Sequence, residues 1–319
     1  MTDMHISAAL RTDIGRKRRI NQDCGLAGHG LFLVCDGMGG GVAGQEASRR
    51  TLTRFSALAD QVGRNRKTID ATFETAQQDA LALGEEYGGI AGTTATGLIL
   101  ADTMALLPHY DDLAGDEDQS QTLWHTDDDG NAWYVVNVGD SRTYHLDRRG
   151  DNHGWEAGSL VQITRDHSRR QEIIDVGAML PELAEQMVPR NIITQCVGSP
   201  DGIEPDYFRA DLTGRFIVCS DGLHSEVDDE TIAMIAAAHE TPQDAVTALV
   251  DAALASGGSD NVTVIVIDVT VADEDLAGLP QWSYVKIARD EDLADIGEST
   301  LDTLRTVTAR NIAGPKESE

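Results

Sequence analysis

Five aspartates lie at the ends of short apolar segments, and this pattern constrains the fold more than any other feature of the sequence. They are Asp23, Asp36, Asp140, Asp221 and Asp260. A single aspartate at the end of a strand is usually a turn former that bonds its own backbone. Five of them at the rim of one sheet system would repel each other unless cations neutralised their charge. Because no cluster of histidines or cysteines accompanies them, the hard ions Mg²⁺, Mn²⁺ or Ca²⁺ suit this set better than zinc.

The apolar segments predict strands that come in pairs, and the helical patterns also come in pairs. Strands are predicted near 31–35, 93–100, 133–138, 143–146, 216–219 and 262–269, and helices near 44–58, 68–83, 229–238 and 242–255. This order differs from the strict alternation of strands and helices that builds a parallel doubly wound sheet. Strands joined by hairpins, with helices in adjacent pairs, favour an α+β fold of antiparallel sheets covered by helices.

One motif suggests a nucleotide site, but its surroundings exclude that interpretation. Gly39, Gly41 and Gly44 match the spacing of the dinucleotide-binding turn. That turn requires a second strand that ends in an acidic residue about 20 residues further on. Residues 61–84 are instead polar and helical in pattern, and the carboxylate of Asp36 would face the pyrophosphate unfavourably.

The charge balance excludes several classes of partner. The 319 residues include 54 acidic and 25 basic side chains, and the net charge is -29. A basic surface is expected of a general nucleic-acid-binding protein, and anionic membranes would repel this chain. The sequence shows neither a signal peptide nor an apolar run that approaches the roughly 20 residues of a membrane span. We therefore expect a cytoplasmic protein with reduced thiols at Cys24, Cys35, Cys196 and Cys219.

Two segments differ from the rest of the chain in composition. Residues 109–131 are rich in acidic side chains, Gly and Ser, and are predicted to form an acidic, solvated insert. Residues 271–319 form an acidic C-terminal extension with little β character, which is predicted to be partly disordered apart from a weak amphipathic helix over 293–312. The main domain is therefore predicted to span residues 1–270.

Eight short segments, taken in order, resemble the PPM family of type 2C protein phosphatases, in particular its bacterial branch. They are Gly15-x-x-Arg18-x-x-Asn21-Gln22-Asp23, Asp36-Gly37-Met38-Gly39-Gly40, Gly92-Thr93-Thr94-Ala95, Val138-Gly139-Asp140-Ser141-Arg142, Thr164-x-Asp166-His167-Ser168, Asn191-Ile192-Ile193-Thr194, Ser220-Asp221-Gly222-Leu223 and Ser259-Asp260-Asn261-Val262-Thr263. The resemblance covers about residues 5–270. It implies a four-layer α-β-β-α sandwich, in which helix pairs flank two antiparallel sheets.

The resemblance also implies two divalent metals, Mn²⁺ or Mg²⁺, at one end of the sandwich. Asp36 matches the carboxylate that bridges both metals, and Asp221 and Asp260 match the other ligands of the first. Gly37 matches the backbone carbonyl on the second metal. Asp23 matches a carboxylate that holds the water molecules of this second site.

Two further matches concern a third metal and the substrate. Asp140 matches a ligand of a third, weaker metal, and Arg18 matches the arginine that grips the substrate phosphate. A planar guanidinium suits that role because it can hold two phosphate oxygens at once. The catalytic set implied by the resemblance is therefore Asp36, Arg18, Asp221 and Asp260.

The activity implied by the resemblance is hydrolysis of phosphoserine and phosphothreonine in proteins, without a covalent phosphoenzyme. Two adjacent cations activate water at neutral pH and clamp the oxygens of an in-line displacement. The expected partners are phosphorylated proteins, including a cognate Ser/Thr kinase. One alternative is a catalytically weak regulatory module that binds phosphoproteins. Another is a metal-dependent hydrolase of small phosphoesters.

Some positions depart from the family pattern or have a structural alternative. Met38 stands where eukaryotic relatives carry a histidine proposed as the general acid, and Gln22 stands where some relatives have Glu. His167 could supply the proton, or it could serve as a structural partner in the turn before a helix. Ser141 and Arg142 are predicted to be structural. Residues 165–195 match the variable flap beside the site.

Overall fold

Two antiparallel sheets packed face to face form the centre of the molecule. The computed structural model describes residues 2–39, 42–61, 63–101, 121–126, 133–148, 154–190, 192–210, 213–271 and 284–293. The first sheet has six strands in the order β6-β1-β12-β11-β8-β9. These are β1 (Thr2–Asp13), β6 (Gln121–Thr126), β8 (Arg142–Leu146), β9 (Val161–Gln162), β11 (Gly214–Cys219) and β12 (Val262–Val271).

The second sheet has seven strands, six of them in the order β13-β10-β7-β5-β3-β2, with β4 paired to β3. They are β2 (Asp23–Gly28), β3 (Leu31–Met38), β4 (Gly92–Thr93), β5 (Ala95–Leu100), β7 (Trp133–Val138), β10 (Asp206–Ala210) and β13 (Tyr284–Lys286). The helices are α1 (Val42–Ser56), α2 (Arg66–Tyr87), α3 (Arg169–Asp175), α4 (Pro181–Met187), α5 (Asp221–His224), α6 (Asp229–Ala238) and α7 (Pro242–Ser256). Two 3₁₀ turns span Ala57–Asp60 and Ala157–Ser159.

Side-chain alternation along the strands builds three apolar layers. In β3, Phe32 and Val34 face the other sheet, whereas Leu31, Leu33 and Cys35 face α1 and α2. Successive side chains of a strand point to opposite faces, so a strand buried on both faces is apolar throughout. The third layer packs α6 and α7 against β11 and β12. The antiparallel α+β sandwich predicted from the sequence is what these layers form.

The predicted acidic insert contains a strand. Residues 121–126 form β6, which pairs with β1 along the register Thr2↔Thr126 to Ser7↔Gln121. The expectation of a solvated loop across 109–131 is therefore wrong for these six residues. The other residues of that segment lie outside the described part of the chain.

The predicted C-terminal extension also contributes to the sandwich. Strand β13 pairs with β10, and Ile287, which follows it, is 3% exposed. Asp292 accepts hydrogen bonds from the backbone N–H of Arg66 and from the hydroxyl of Tyr134. The weak helix predicted over 293–312 lies, beyond its first residue, outside the described residues. The boundary at 270 stays a prediction, but residues 284–293 pack onto the second sheet.

Two further expectations concern thiols and membranes. Cys24, Cys35, Cys196 and Cys219 are all free thiols. In the described ranges, no helix combines the length and apolar character needed to cross a bilayer.

Candidate functional site

The predicted metal-binding aspartates meet at one rim of the sandwich, between the two sheets. Asp23 and Asp36 lie directly opposite each other across β2 and β3, so their side chains share one face. That face is the inter-sheet face, because Asp36 follows Phe32 and Val34 at alternate positions. From the first sheet, the Ser220 hydroxyl donates a 2.7 Å hydrogen bond to Asp23 Oδ2. This bond joins the two sheets beside the carboxylates.

Asp221 and Asp260 complete the rim from the first sheet. Asp221 begins α5 two residues after the end of β11, and Asp260 lies two residues before β12. The two strands are paired in antiparallel fashion, with Cys219 opposite Val264. The end of one strand and the start of its neighbour therefore carry these two carboxylates to the same edge.

Burial and the repulsion between neighbouring carboxylates raise the pKa values of these carboxyls. Burial, followed by the charges of Asp23 and Asp221, raises the pKa of Asp36 well above its usual value of 3.8. Burial raises the pKa of Asp23 to about 7, and burial with the neighbouring Asp260 raises the pKa of Asp221 to about 6. Burial and the charges of Asp221 and Asp166 raise the pKa of Asp140 to about 8.

The donor set fits hard divalent cations. One buried oxygen, Oδ1, of each of Asp23, Asp140 and Asp221 has no hydrogen-bond partner. A buried carboxylate oxygen without a donor is costly, and a cation removes both that cost and the mutual repulsion. No group of three or more Asp, Glu, His or Cys side chains in the described part of the chain is already arranged so that it could hold a metal ion. We call the five aspartates at this rim the carboxylate cluster: Asp23, Asp36, Asp140, Asp221 and Asp260.

Arg18 forms an ion pair with one carboxylate of the cluster, that of Asp260. Its Nη2 lies 2.6 Å from Asp260 Oδ2, and the side chain is 51% exposed. Hydrogen bonding to Asp260, with the charges of Asp260, Asp221 and Asp36, raises the pKa of Arg18. The predicted phosphate-binding arginine therefore lies at the mouth of the cluster.

The side chain of Asn261 holds both ends of the loop that carries Arg18. Its Nδ2 donates to the carbonyls of Ile14 and Ile20 at 2.9 and 3.0 Å, and its Oδ1 accepts from the N–H of Gln22 at 2.9 Å. A Cβ at Gly15 would lie 2.1 Å from the carbonyl oxygen of Asp260, so only glycine fits there. Sequence reasoning recognised Asn261 as part of a motif but missed this role.

The backbone around Asp36 is held by small residues. A Cβ at Gly37 would lie 2.2 Å from the carbonyl oxygen of Gly44, so glycine at 37 lets α1 approach the strand. The Thr94 hydroxyl accepts a 2.9 Å hydrogen bond from the Asp36 N–H and shares a 2.7 Å hydrogen bond with Ser141. These contacts give Thr94 and Ser141 a structural role.

The next hairpin contains Asp140, and its neighbours are also structural. Arg142 donates two hydrogen bonds to Asp166, of 2.9 and 2.7 Å. His167 Nδ1 accepts from the Gly139 N–H at 3.2 Å, and its Nε2 lies 3.3 Å from Asp206 Oδ2. Because both ring nitrogens are engaged, the contacts favour the structural alternative for His167. Sequence reasoning missed Asp206, which begins β10 and is remote from His167 in the sequence.

The flap adds a cation that sequence reasoning missed. Its helices are α3 and α4, and Arg190 follows α4 by three residues. The positive charge of Arg190 partly opposes the rise in the pKa of Asp221, and it adds to the hydrogen bonds from Ser259 that lower the pKa of Glu226, so Arg190 lies near the rim. The matched segment at Asn191 stands next to it in the sequence and could have drawn attention to it.

Comparisons with known proteins identify the family of this chain. Protein phosphatase PhpP of Streptococcus pneumoniae is 30% identical over 279 residues, which cover 83% of this chain and 98% of PhpP. The chain belongs to the PPM, or type 2C, phosphatase family. The serine/threonine protein phosphatase PstP of Mycobacterium tuberculosis is 31% identical over 273 residues, but this PPM chain covers only 45% of its length. No family model matches.

Solved PPM structures share the sandwich. The crystal structure of M. tuberculosis PstP has a TM-score of 0.66 and 30% identity, and the match covers 83% of this chain and 98% of that one. The PstP catalytic domain in complex with two manganese ions has a TM-score of 0.65 at 29% identity, with 84% and 99% covered. The predicted family and fold class are both confirmed.

Proposed function

We propose that this chain is a metal-dependent protein phosphatase that hydrolyses phosphoserine and phosphothreonine. The observation that carries the proposal is the carboxylate cluster, with three buried, partnerless oxygens, at the rim of a PPM sandwich. The manganese ions of the related PstP catalytic domain support two divalent metals, Mn²⁺ or Mg²⁺, in this chain as well.

The proposed arrangement has two metal sites and a third, weaker one. Asp36 would bridge the two cations, with Asp221 and Asp260 on the first, and the Gly37 carbonyl and Asp23 on the second. Asp140 would hold the third. When bound, the cations activate the attacking water and neutralise the phosphate oxygens. The negative protein then need not repel a phosphate, because the local field comes from the metals.

The chain's own residues position the substrate. Arg18 would exchange Asp260 for two oxygens of the phosphate, since its exposed guanidinium can bind both. The attacking water loses a proton to solvent as its oxygen forms a bond to phosphorus, and the bond from phosphorus to the Ser or Thr oxygen breaks. Met38 carries no acidic proton and His167 is engaged by Gly139 and Asp206. We therefore assign protonation of the leaving oxygen to solvent.

The proposed substrates are phosphorylated proteins, including a cognate Ser/Thr kinase. The names of PhpP and PstP as protein phosphatases support this class of substrate. The flap, with α3 and α4, is the proposed surface for protein substrates. The cytoplasm is the proposed location, on the basis of the free thiols and of substrates that are made by ATP-dependent kinases.

The test is release of phosphate from a phosphothreonine peptide in EDTA, Mg²⁺ or Mn²⁺. Asp36→Asn and Asp221→Asn should each lower metal-dependent turnover roughly a hundredfold or more, because each removes a charge that the cations need. Asp79→Asn is the matched control, since Asp79 pairs with Arg54 on the outer helices. A folded wild type that binds metal but releases no phosphate would favour the phosphoprotein-binding module. Turnover of small phosphoesters alone would favour a metabolite phosphatase.

A further inference from the structure

A run of four basic residues stands beside the carboxylate cluster of a very acidic chain. Arg16, Lys17, Arg18 and Arg19 are consecutive and exposed, although the chain has 54 acidic and only 25 basic residues. In such a chain a cation readily finds an acidic partner on the surface. Cations in this run that have no acidic partner therefore need a reason.

Nearly all basic side chains in the described ranges have a partner. Arg11, Arg54, Arg142, Lys286 and Arg289 illustrate the rule, because each forms an ion pair with an acidic residue. Others donate to backbone carbonyls or stack on a ring. Four described cations have no ion pair, side-chain hydrogen bond or ring contact. They are Lys17, Arg19, Lys67 and Arg190.

Three of these four cations belong to the loop of Arg18 or to the flap, the two segments beside the site. Lys17 and Arg19 flank Arg18 in the loop that Asn261 fixes. Glu226 accepts a 2.9 Å hydrogen bond from the N–H of Ser259, next to Asp260. Hydrogen bonds from Ser259 lower the pKa of Glu226, and the charges of Lys17 and Arg190 add to this effect, so both cations lie on this side of the rim. The fourth, Lys67, is in the first turn of α2, which starts beside Ala101 and Gly30 at the opposite end of the second sheet.

The loop itself is held against the rim. The Arg16 N–H donates to the Gly258 carbonyl at 2.8 Å, and the Arg16 Nε donates to the Leu254 carbonyl at 2.8 Å. Arg18 pairs with Asp260. Within the run of residues 16–19, Arg16 and Arg18 are therefore held by contacts within the protein. Lys17 and Arg19 remain available to a bound peptide.

We propose that Lys17 and Arg19 select phosphosites that are flanked by acidic side chains. The proposal rests on the proposed function, because it places those acidic neighbours on either side of a phosphate bound at Arg18. The molecule as a whole repels an acidic peptide, so local cations beside the site are what allow such a substrate to approach. Charge complementarity of this kind determines specificity and association rate more than bulk affinity.

The test compares two phosphothreonine peptides that differ only in Asp or Asn on both sides of the phosphothreonine. The wild type should show a higher kcat/KM for the Asp peptide, by about threefold for each exposed cation and so about tenfold in total. In the double variant Lys17→Gln, Arg19→Gln, the ratio of the two kcat/KM values should fall to about one. Lys67→Gln, which removes an equally unpaired cation at the other end of the sheet, should leave the ratio unchanged.

Salt provides a second measurement. The preference should decline as ionic strength rises, because the Debye length shrinks from about 10 Å at 0.1 M to about 3 Å at 1 M. Equal kcat/KM for both peptides in the wild type, or an unchanged ratio in the double variant, overturns the proposal while leaving the phosphatase activity established. If neither peptide is hydrolysed, the proposed function fails. Fluorescence anisotropy then tests the inference alone, and equal binding of the two peptides overturns it.

Discussion

Asn261 offers the sharpest test of how the site is built. Its amide holds both ends of the loop that carries Arg18, through the carbonyls of Ile14 and Ile20 and the N–H of Gln22. The side chain is 4% exposed, so water does not compete for these bonds in the folded state. Asn261→Ala removes all three hydrogen bonds and leaves the neighbouring side chains in place.

The expected cost follows from the three partners. A typical intramolecular hydrogen bond contributes about 1 kcal/mol net. Ile14 and Ile20 are exposed residues, so water can reach their carbonyls once the amide is gone, whereas the Gln22 N–H is half-buried. We therefore expect a loss of about 2 kcal/mol in the free energy of unfolding. Because Arg18 moves with the loop, kcat/KM should fall by roughly 10- to 100-fold.

Two measurements on the same protein check this expectation. Urea denaturation gives the free energy of unfolding, and phosphothreonine-peptide turnover with Mn²⁺ gives kcat/KM. Asn65→Ala is the control, because Asn65 caps α2 far from the rim through a 3.0 Å bond from the Thr68 N–H. It should cost about 1 kcal/mol of stability and leave kcat/KM unchanged. If Asn261→Ala lost stability but kept wild-type kcat/KM, the anchored loop would not be what positions Arg18.

Two other predictions concern protons. In EDTA, burial raises the pKa of Asp23 from 3.8 to about 7 and that of Asp221 to about 6, so the folded state holds more protons than the unfolded state in this window. The free energy of unfolding should therefore fall as pH rises from about 4 to 7, and thermal melts in EDTA should show a lower Tm at pH 8 than at pH 5. Added Mn²⁺ should restore the loss at pH 8, and equal Tm values in EDTA would contradict this account. His167→Gln should lower stability by about 1 kcal/mol through its lost contacts with Gly139 and Asp206. The same variant should leave every ionisation in the pH profile of kcat in place, and a missing one would instead assign His167 as the general acid.

The carboxylates and the fold could be predicted because both depend on local sequence. Asp36 follows a run of buried residues within β3, and Asp221 comes two residues after the buried strand β11, so the strand determines where each side chain lies. Pairing between strands then brings separate runs to one edge. The positions of these aspartates can therefore be predicted from the strands alone, once the order of the strands is known.

The missed features depend on contacts between distant segments. Strands β6 and β13 are short edge strands, and they pair with partners 114 or more and 74 or more residues away in sequence. No apolar alternation marks them, because an edge strand needs burial on fewer sides. Arg190 and Asp206 likewise gain their surroundings only when the flap and β10 reach the rim.

Strand β13 also affects how the molecule behaves toward its neighbours in solution. Without it, β10 would present unpaired backbone groups along an open sheet edge, beside the ring of Phe208 that Tyr284 now contacts at 6.3 Å between ring centroids. Such an edge templates association with other chains, and three residues that include Lys286 form a poorer template. A phosphatase domain shortened to residue 270 would therefore keep its whole carboxylate cluster yet be prone to self-association, so its loss of activity on storage would reflect aggregation and not chemistry.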